Sequence, residues 1–384
     1  MEKDGDGGIR QCCKVIALII FSTLSILPLH FFLLTTYNHV ATPKVKRSAL
    51  LPLRFRHDGT FKILQVADMH YGMGKISRCR DVLPSEFDRC SDINTTSFLR
   101  NMIHTEMPDL IVFTGDNIKG TADAAESLFS AFAPVIESRI PWAAILGNHD
   151  QESTMNREEL MSLISLMDYS ISQVNPYSEV PRKLVEIDGF GNYNIKIHGS
   201  FGSDMVNTSM LNLYLLDSGD RETVDGRQTY GWIKKSQLLW LSETSKQLQG
   251  TYVSPALAFF HIPIQEVRGL WYKEITGQFQ EAVACSSVNT GVLDSLVAMG
   301  DVKAVFMGHD HLNDFCGDID GIWFCYGGGV GYHAYGRAGW SRRVRVISAE
   351  LGQKSQKRVK KIRTWKRLDD DFFTKIDEQV LWED

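Results

Sequence analysis

Phe61-Lys62-Ile63-Leu64-Gln65-Val66-Ala67-Asp68-Met69-His70 is a short apolar run that stops on a carboxylate and an imidazole. Its length and residue types are those of a β-strand, and the polar pair falls where a strand gives way to a loop. Four more segments follow the same grammar. Leu110 to Thr114 ends on Gly115-Asp116-Asn117, and Trp142 to Leu146 ends on Gly147-Asn148-His149-Asp150. Leu257 to Phe260 runs into His261, and Ala304 to Met307 runs into Gly308-His309-Asp310-His311. Helical patterns lie between them: Thr96 to Glu106, Ala122 to Ser138, Arg157 to Asp168, and Ser236 to Gln247. The repeated strand, loop and helix predict an α/β domain with largely buried sheets. In such folds ligands gather beyond the carboxyl ends of the strands, so five clusters remote in sequence can converge.

The residue types in those clusters suit a pair of metal ions. Imidazole, carboxylate and amide oxygen favour divalent Zn, Mn or Fe over a metal that prefers thiolate. One carboxylate can bridge two ions about 3.5–4 Å apart, the spacing useful for hydrolysing phosphate esters. Glycine before Asp116, Asn148 and His309 permits backbone geometry or close approach that a side chain would hinder. Each cluster alone has a plainer explanation, since Asp at a strand end is a common helix cap and Asn148 suits a turn. All five in this order point to chemistry.

Asp68-x-His70, Gly115-Asp116, Gly147-Asn148-His149-Asp150, His261 and Gly308-His309-x-His311 resemble the calcineurin-like metallophosphoesterase superfamily. Within it the chain is similar to plant purple acid phosphatases, in the subgroup often labelled probable inactive. The motifs span Asp68 to His311, and similarity continues through Tyr326 to Arg345. The resemblance implies a four-layer αββα sandwich, and hydrolysis of phosphate esters by water activated between two metal ions. It implies Asp68, His70 and His311 as ligands of one ion, Asn148, His261 and His309 of the other, and Asp116 bridging. Purple members have Gly at the position of His70, and Tyr three residues after the bridging aspartate, where this chain has Lys119. The expectation is therefore a colourless divalent pair, with mixed-valence iron the alternative. Plant members also carry histidines where Leu270 and Trp271 stand. His149 remains as the candidate acid, with Asp150 as its expected orienting partner. The alternatives are a catalytically silent metal-binding homologue or a phosphodiesterase.

The 384 residues are 43% hydrophobic and 23% charged, an ordinary globular balance. A net charge of −5 argues against a general nucleic-acid binder, and the resemblance implies a phosphorylated small molecule as partner. The basic stretch Lys354 to Arg367 precedes Asp369, Asp370 and Asp371, and is expected to be a solvated strand or tail. Val15 to Leu34 holds no Asp, Glu, Lys or Arg over 20 residues, long enough to cross a bilayer of about 30 Å. Residues 1–40 are thus expected to be a signal peptide or signal anchor, 41–60 a linker, and 61–384 a single catalytic domain. The anchor alternative would attach the protein to a membrane through residues 15–34. Either alternative directs the chain into the secretory pathway, to be secreted or vacuolar. Sequons at Asn94 and Asn207 agree with that route. The pairs Cys79/Cys90 and Cys316/Cys325 could each staple a loop in an oxidising compartment, with free thiols the alternative and Cys285 left over. The sequence sets no oligomeric state. Gly327-Gly328-Gly329 with Tyr332, His333 and Tyr335 suits either a loop over the site or a sheet connection. Tyr230, Trp232 and Trp240 are expected to pack the core.

Overall fold

The computed structural model describes residues 46–120, 123–176, 186–249, 253–352 and 358–384, so the apolar run at 15–34 lies outside them. Arg47–Asp384 forms one compact unit. Among the described residues, no helix is long and apolar enough to cross a membrane.

Two sheets share the main core. The six-stranded sheet runs β16 (Lys375–Glu383), β15 (Val359–Leu368), β14 (Arg343–Leu351), β2 (Thr60–Val66), β3 (Leu110–Thr114) and β4 (Trp142–Ile145). The eight-stranded sheet runs β1 (Leu53–Arg54), β5 (Tyr193–His198), β6 (Ser209–Leu215), β9 (Ala256–Phe259), β11 (Val302–Met307), β13 (Ile322–Tyr326), β12 (Cys316–Ile319) and β10 (Ile275–Thr276). A separate hairpin joins β7 (Arg221–Val224) to β8 (Arg227–Tyr230). The helices α1 (Asp92–Glu106), α2 (Ala124–Ser138) and α3 (Arg157–Leu166) pack on the first core; α4 (Lys235–Leu248) and α5 (Val292–Met299) pack on a second. This is the αββα sandwich expected.

Strand alternation builds both cores at once. Leu257 and Phe259 of β9, with Ala304 and Phe306 of β11, face the core shared by the sheets. Ala258, Val305 and Met307 face the other way, toward α4 and α5. Side chains on a strand alternate between its faces, so a strand covered on both sides reads as continuously apolar. β2, β3 and β4 pair in parallel, as do β9 and β11. Their carboxyl ends therefore collect, and the polar clusters with them.

α1 starts at Asp92, before the Thr96 expected, because Ser91 caps it. The Ile93 N–H donates to Ser91 Oγ at 3.4 Å, and Asn94 Oδ1 accepts from the Ser91 N–H at 3.1 Å. The sequon at Asn94 is thus engaged in a capping box, whereas Asn207 is exposed. Cys79–Cys90 closes the loop ahead of α1, and Cys316–Cys325 joins residues directly opposed on β12 and β13. Cys285 is buried and unbridged.

Two expectations need correction. From Arg47 onward the segment expected to be a linker belongs to the compact unit: β1 pairs with β5, and Phe55 is buried against Phe61. The basic stretch expected to be solvated contains β15, an inner strand paired on both sides, so Trp365 and Lys366 are buried.

Asp92, buried at the start of α1, accepts the Gly72 N–H at 2.9 Å and leaves Oδ1 without a partner. Burial raises its carboxyl from 3.8 to about 7. The folded chain then holds a proton that the unfolded chain releases, so stability falls as pH rises between those values. Asp92→Asn should remove that slope. Denaturant titrations at pH 4.5 and 7.5 should show wild type losing on the order of 2–4 kcal/mol more than the variant. Parallel losses would refute the charge-burial account.

Candidate metal centre

Four of the expected ligands sit where the backbone is strained. Asp68, His70, Asp116 and His309 have φ of 56°, 44°, 49° and 82°, a left-handed conformation costing a non-glycine residue about 1–2 kcal/mol. Such strain concentrates at functional sites, where the surroundings over-determine it. The adjoining glycines make room. A Cβ on Gly115 would lie 2.5 Å from His261 Nδ1, and one on Gly147 2.2 Å from Asp116 Oδ1.

The seven expected ligands converge, and all are buried. Asp116 Oδ2 lies 3.3 Å from His70 Nε2 and 3.2 Å from His261 Nε2. On one side, His70 Nε2 faces His311 Nε2 at 3.0 Å, and His311 Nε2 is 3.6 Å from Asp68 Oδ1. On the other, His261 Nε2 faces Asn148 Oδ1 at 3.2 Å, with the His309 ring edge-on to His261 at 5.2 Å. Donor atoms of Asp68, His70, Asp116 and His311 lie within 4.8 Å of one another, as do those of Asp116, His261 and His309. Asp116 belongs to both groups.

Outer contacts orient the imidazole rings. His261 Nδ1 donates to the Thr114 carbonyl at 2.8 Å, and His311 Nδ1 to the Tyr335 carbonyl at 3.0 Å. A carbonyl only accepts, so each Nδ1 carries a hydrogen and each Nε2 is the atom turned inward. Burial pushes the Asp116 carboxyl up, but His261 and His70 outweigh it and hold it well below the usual carboxylate range. Burial lowers His261, yet Asp116 and Asp68 reverse this and raise it to about 9. Burial holds His309 and His311 well below the ordinary imidazole range. They are neutral, as a metal ligand must be.

The buried atoms Asp68 Oδ2 and His309 Nε2 have no hydrogen-bond partner. Unpaired groups of this kind are rare inside proteins. Cations at the centre of the two groups would satisfy them. The imidazole and oxygen donors suit divalent transition metals. The cluster is able to bind metal.

His149 borders the basin, its ring 5.0 Å from that of His70 and its backbone N–H donating to Asp116 Oδ1 at 2.7 Å. Asp150 is not its orienting partner. That carboxylate is fully buried and accepts from the N–H groups of Gly147 at 2.7 Å, Asn117 at 2.9 Å and Ile118 at 3.0 Å. It ties the loop carrying Asp116 to the loop carrying Asn148, and has no oxygen to spare for an imidazole outside. Glu152 takes the expected role instead, its Oε2 at 2.7 Å from His149 Nδ1.

Of the other neighbours, Tyr335 lies on the segment read either as a loop over the site or as a sheet connection, whereas Arg221 carried no sequence signal. Tyr335 stacks on His311, with centroids 3.8 Å apart. The loop bearing it runs beside the site, its Gly329 and Gly331 N–H groups donating to the carbonyls of His311 and Asp68. Tyr230, expected in the core, sets its ring edge-on to His309 at 4.4 Å, while Trp240 packs as expected. Arg221 donates to the Asn148 carbonyl at 2.9 Å. Of the pair standing where histidines were expected in plant members, Leu270 is buried and Trp271 is exposed.

Comparison with known proteins agrees with this arrangement. The chain is 60% identical over 379 residues to "Probable inactive purple acid phosphatase 28" of Arabidopsis thaliana, covering 95% of this chain and 96% of that protein. It is 34% identical to "Phosphatase DCR2" of Saccharomyces cerevisiae, covering 87% of this chain and 58% of that protein. A solved dimetal phosphatase from Danio rerio superposes with a TM-score of 0.53 at 15% identity, covering 84% of this chain and 99% of that one. That likeness shows the fold. The family model for calcineurin-like phosphoesterases matches residues 61–313, which carry every strand end that feeds the basin. With its two ligand groups joined through Asp116, the chain belongs to the calcineurin-like phosphoesterase family.

Proposed function

We propose that this protein is a metal-dependent phosphoric ester hydrolase acting on phosphomonoesters. The observation that carries the reading is the single oxygen of Asp116 held between His70 and His261 at 3.3 and 3.2 Å. Asp68, His70 and His311 would hold one ion, Asn148, His261 and His309 the second, with Asp116 shared. Two divalent ions there supply Lewis-acid charge for the phosphoryl group and lower the pKa of nearby water. The protein does the rest. Strained, buried loops fix the donors, carbonyl partners orient the imidazoles, and burial of the donors keeps bulk water from them. His149, outside the ligand groups and braced by Glu152, stands at the rim to donate a proton to the leaving oxygen.

Mn, Zn or Fe(II) is the proposed metal, since no tyrosine stands at position 119. The disulfides support folding in an oxidising secretory compartment, and exposed Asn207 is the better placed glycan acceptor. The test is metal content and turnover of protein from a secretory host supplied with each metal, on monoester and diester substrates. Two metals with monoester turnover support the proposal. Two metals without turnover would make the protein a silent binder, in keeping with the names of its plant relatives.

His149→Ala should lower kcat about 100-fold with metal content unchanged. Loss of metal alongside activity would make His149 structural.

A further inference from the structure

The hairpin of β7 and β8 turns through Asp225 and Gly226, whose φ values of 49° and 74° fit a two-residue turn. Its open end is the register pair Arg221 and Tyr230. Both reach the basin on the side of Asn148 and His309. Tyr230 meets the His309 ring, and Arg221 Nη2 lies 3.3 Å from His149 Nε2. Glu152 sits between the imidazole and the guanidinium. Its Oε2 is 2.7 Å from His149 Nδ1 and its Oε1 is 2.9 Å from Arg221 Nη1. Asp220 adds a contact to Nη1 at 3.3 Å. One carboxylate is thus gripped by an imidazole and a guanidinium at the mouth of a basin lined with metal-ligand donors.

The side chains of Arg221 and Glu152 are 38% and 34% exposed, and an ion pair that open to solvent adds little to stability. It can therefore be exchanged at little cost. A guanidinium matches phosphoryl oxygens in a planar two-point contact. We propose that Arg221, with Tyr230 beside it, binds the non-bridging oxygens of the substrate phosphoryl group, and that Glu152 is the internal anion it releases to do so. The inference rests on the phosphoesterase reading and names the feature that selects its substrate. A dianionic monoester presents more terminal charge to Arg221 than a monoanionic diester, so the residue favours monoesters.

The probe is inorganic phosphate, titrated calorimetrically into Mn-loaded wild type, Arg221→Gln, Arg221→Lys and Glu152→Gln, with metal content measured for each. Arg221→Gln should weaken phosphate binding about tenfold or more, and Arg221→Lys, which keeps the charge without the fork, should weaken it less. Glu152→Gln should tighten binding several-fold. Metal content should not change. Arg221→Gln should also reduce the ratio of monoester to diester kcat/KM. Phosphate affinity equal in wild type and Arg221→Gln overturns the assignment, as does wild type that binds metal but no phosphate. Weaker binding by Glu152→Gln overturns the exchange. A tenfold loss in Arg221→Gln with no turnover by wild type sinks the hydrolytic reading and leaves the anion site standing.

Discussion

Asp116→Asn should leave the protein folded and remove its activity, with turnover falling about 1,000-fold or more. The change swaps one oxygen for an NH2 group of nearly equal size, so packing in the basin is preserved. What is lost is the charged oxygen placed 3.3 Å from His70 and 3.2 Å from His261. No other carboxylate among the described residues belongs to both ligand groups. Without it, neither group has its shared anion, and an amide is a far weaker partner for a divalent ion than a carboxylate. Metal-ion stabilisation contributes several kcal/mol to such reactions, and about 4 kcal/mol corresponds to the 1,000-fold stated. Metal content should fall from two ions per chain, read by elemental analysis beside the rate. Full activity in Asp116→Asn would overturn the whole assignment. Lost activity with both metals retained would keep the site but deny Asp116 its bridging role.

Asp314→Ala should be the most destabilising single change outside the basin, lowering stability by about 3–5 kcal/mol. Asp314 is fully buried a few residues past His311. Its Oδ1 meets Lys366 Nζ at 2.7 Å, its Oδ2 meets Arg343 Nη1 at 2.6 Å, and its carbonyl accepts from Arg345 at 2.7 Å. Burial raises its carboxyl, but Lys366 and Arg343 more than reverse that, so it stays charged. Removing the anion strands Lys366 and Arg343 in the interior, the situation in which one lost partner costs about 3–5 kcal/mol. Domains have only about 5–15 kcal/mol in hand. The midpoint of thermal unfolding should drop on the order of 10 °C. Because Asp314 also anchors the loop that carries His309 and His311, the variant should lose metal more readily. A change in midpoint of a degree or less would show that Asp377, 2.6 Å from Lys366, is sufficient counter-charge.

The strand ends were legible from sequence because their cause is local. A strand buried on both faces must be continuously apolar, and an interruption by Asp, His or Asn at its end is visible without knowing the partner strands. The glycines before Asp116 and Asn148 were legible for the same reason. The start of α1 was missed by a few residues, since Ser91 and Asn94 cap it through a reciprocal contact that periodicity does not reveal. The buried segment at Lys366 was missed too, because charge pattern suggests solvent while the Asp314 that neutralises it lies 52 residues earlier.

The sequence by itself determined the α/β class and the five polar clusters at strand ends, which follow from hydrophobic period and residue type over a few positions. The family resemblance then implied which seven of those residues are ligands. Only the tertiary structure decided which neighbours serve those residues. Asp150 follows His149 in sequence yet turns inward to three backbone N–H groups, while Glu152 braces the imidazole. The Asp225-Gly226 turn signals a hairpin, but not that its open end brings Arg221 and Tyr230 over the basin. Tyr335 reaches His311 from 24 residues away. Such contacts depend on how two sheets close on each other, and short-range sequence carries no term for that.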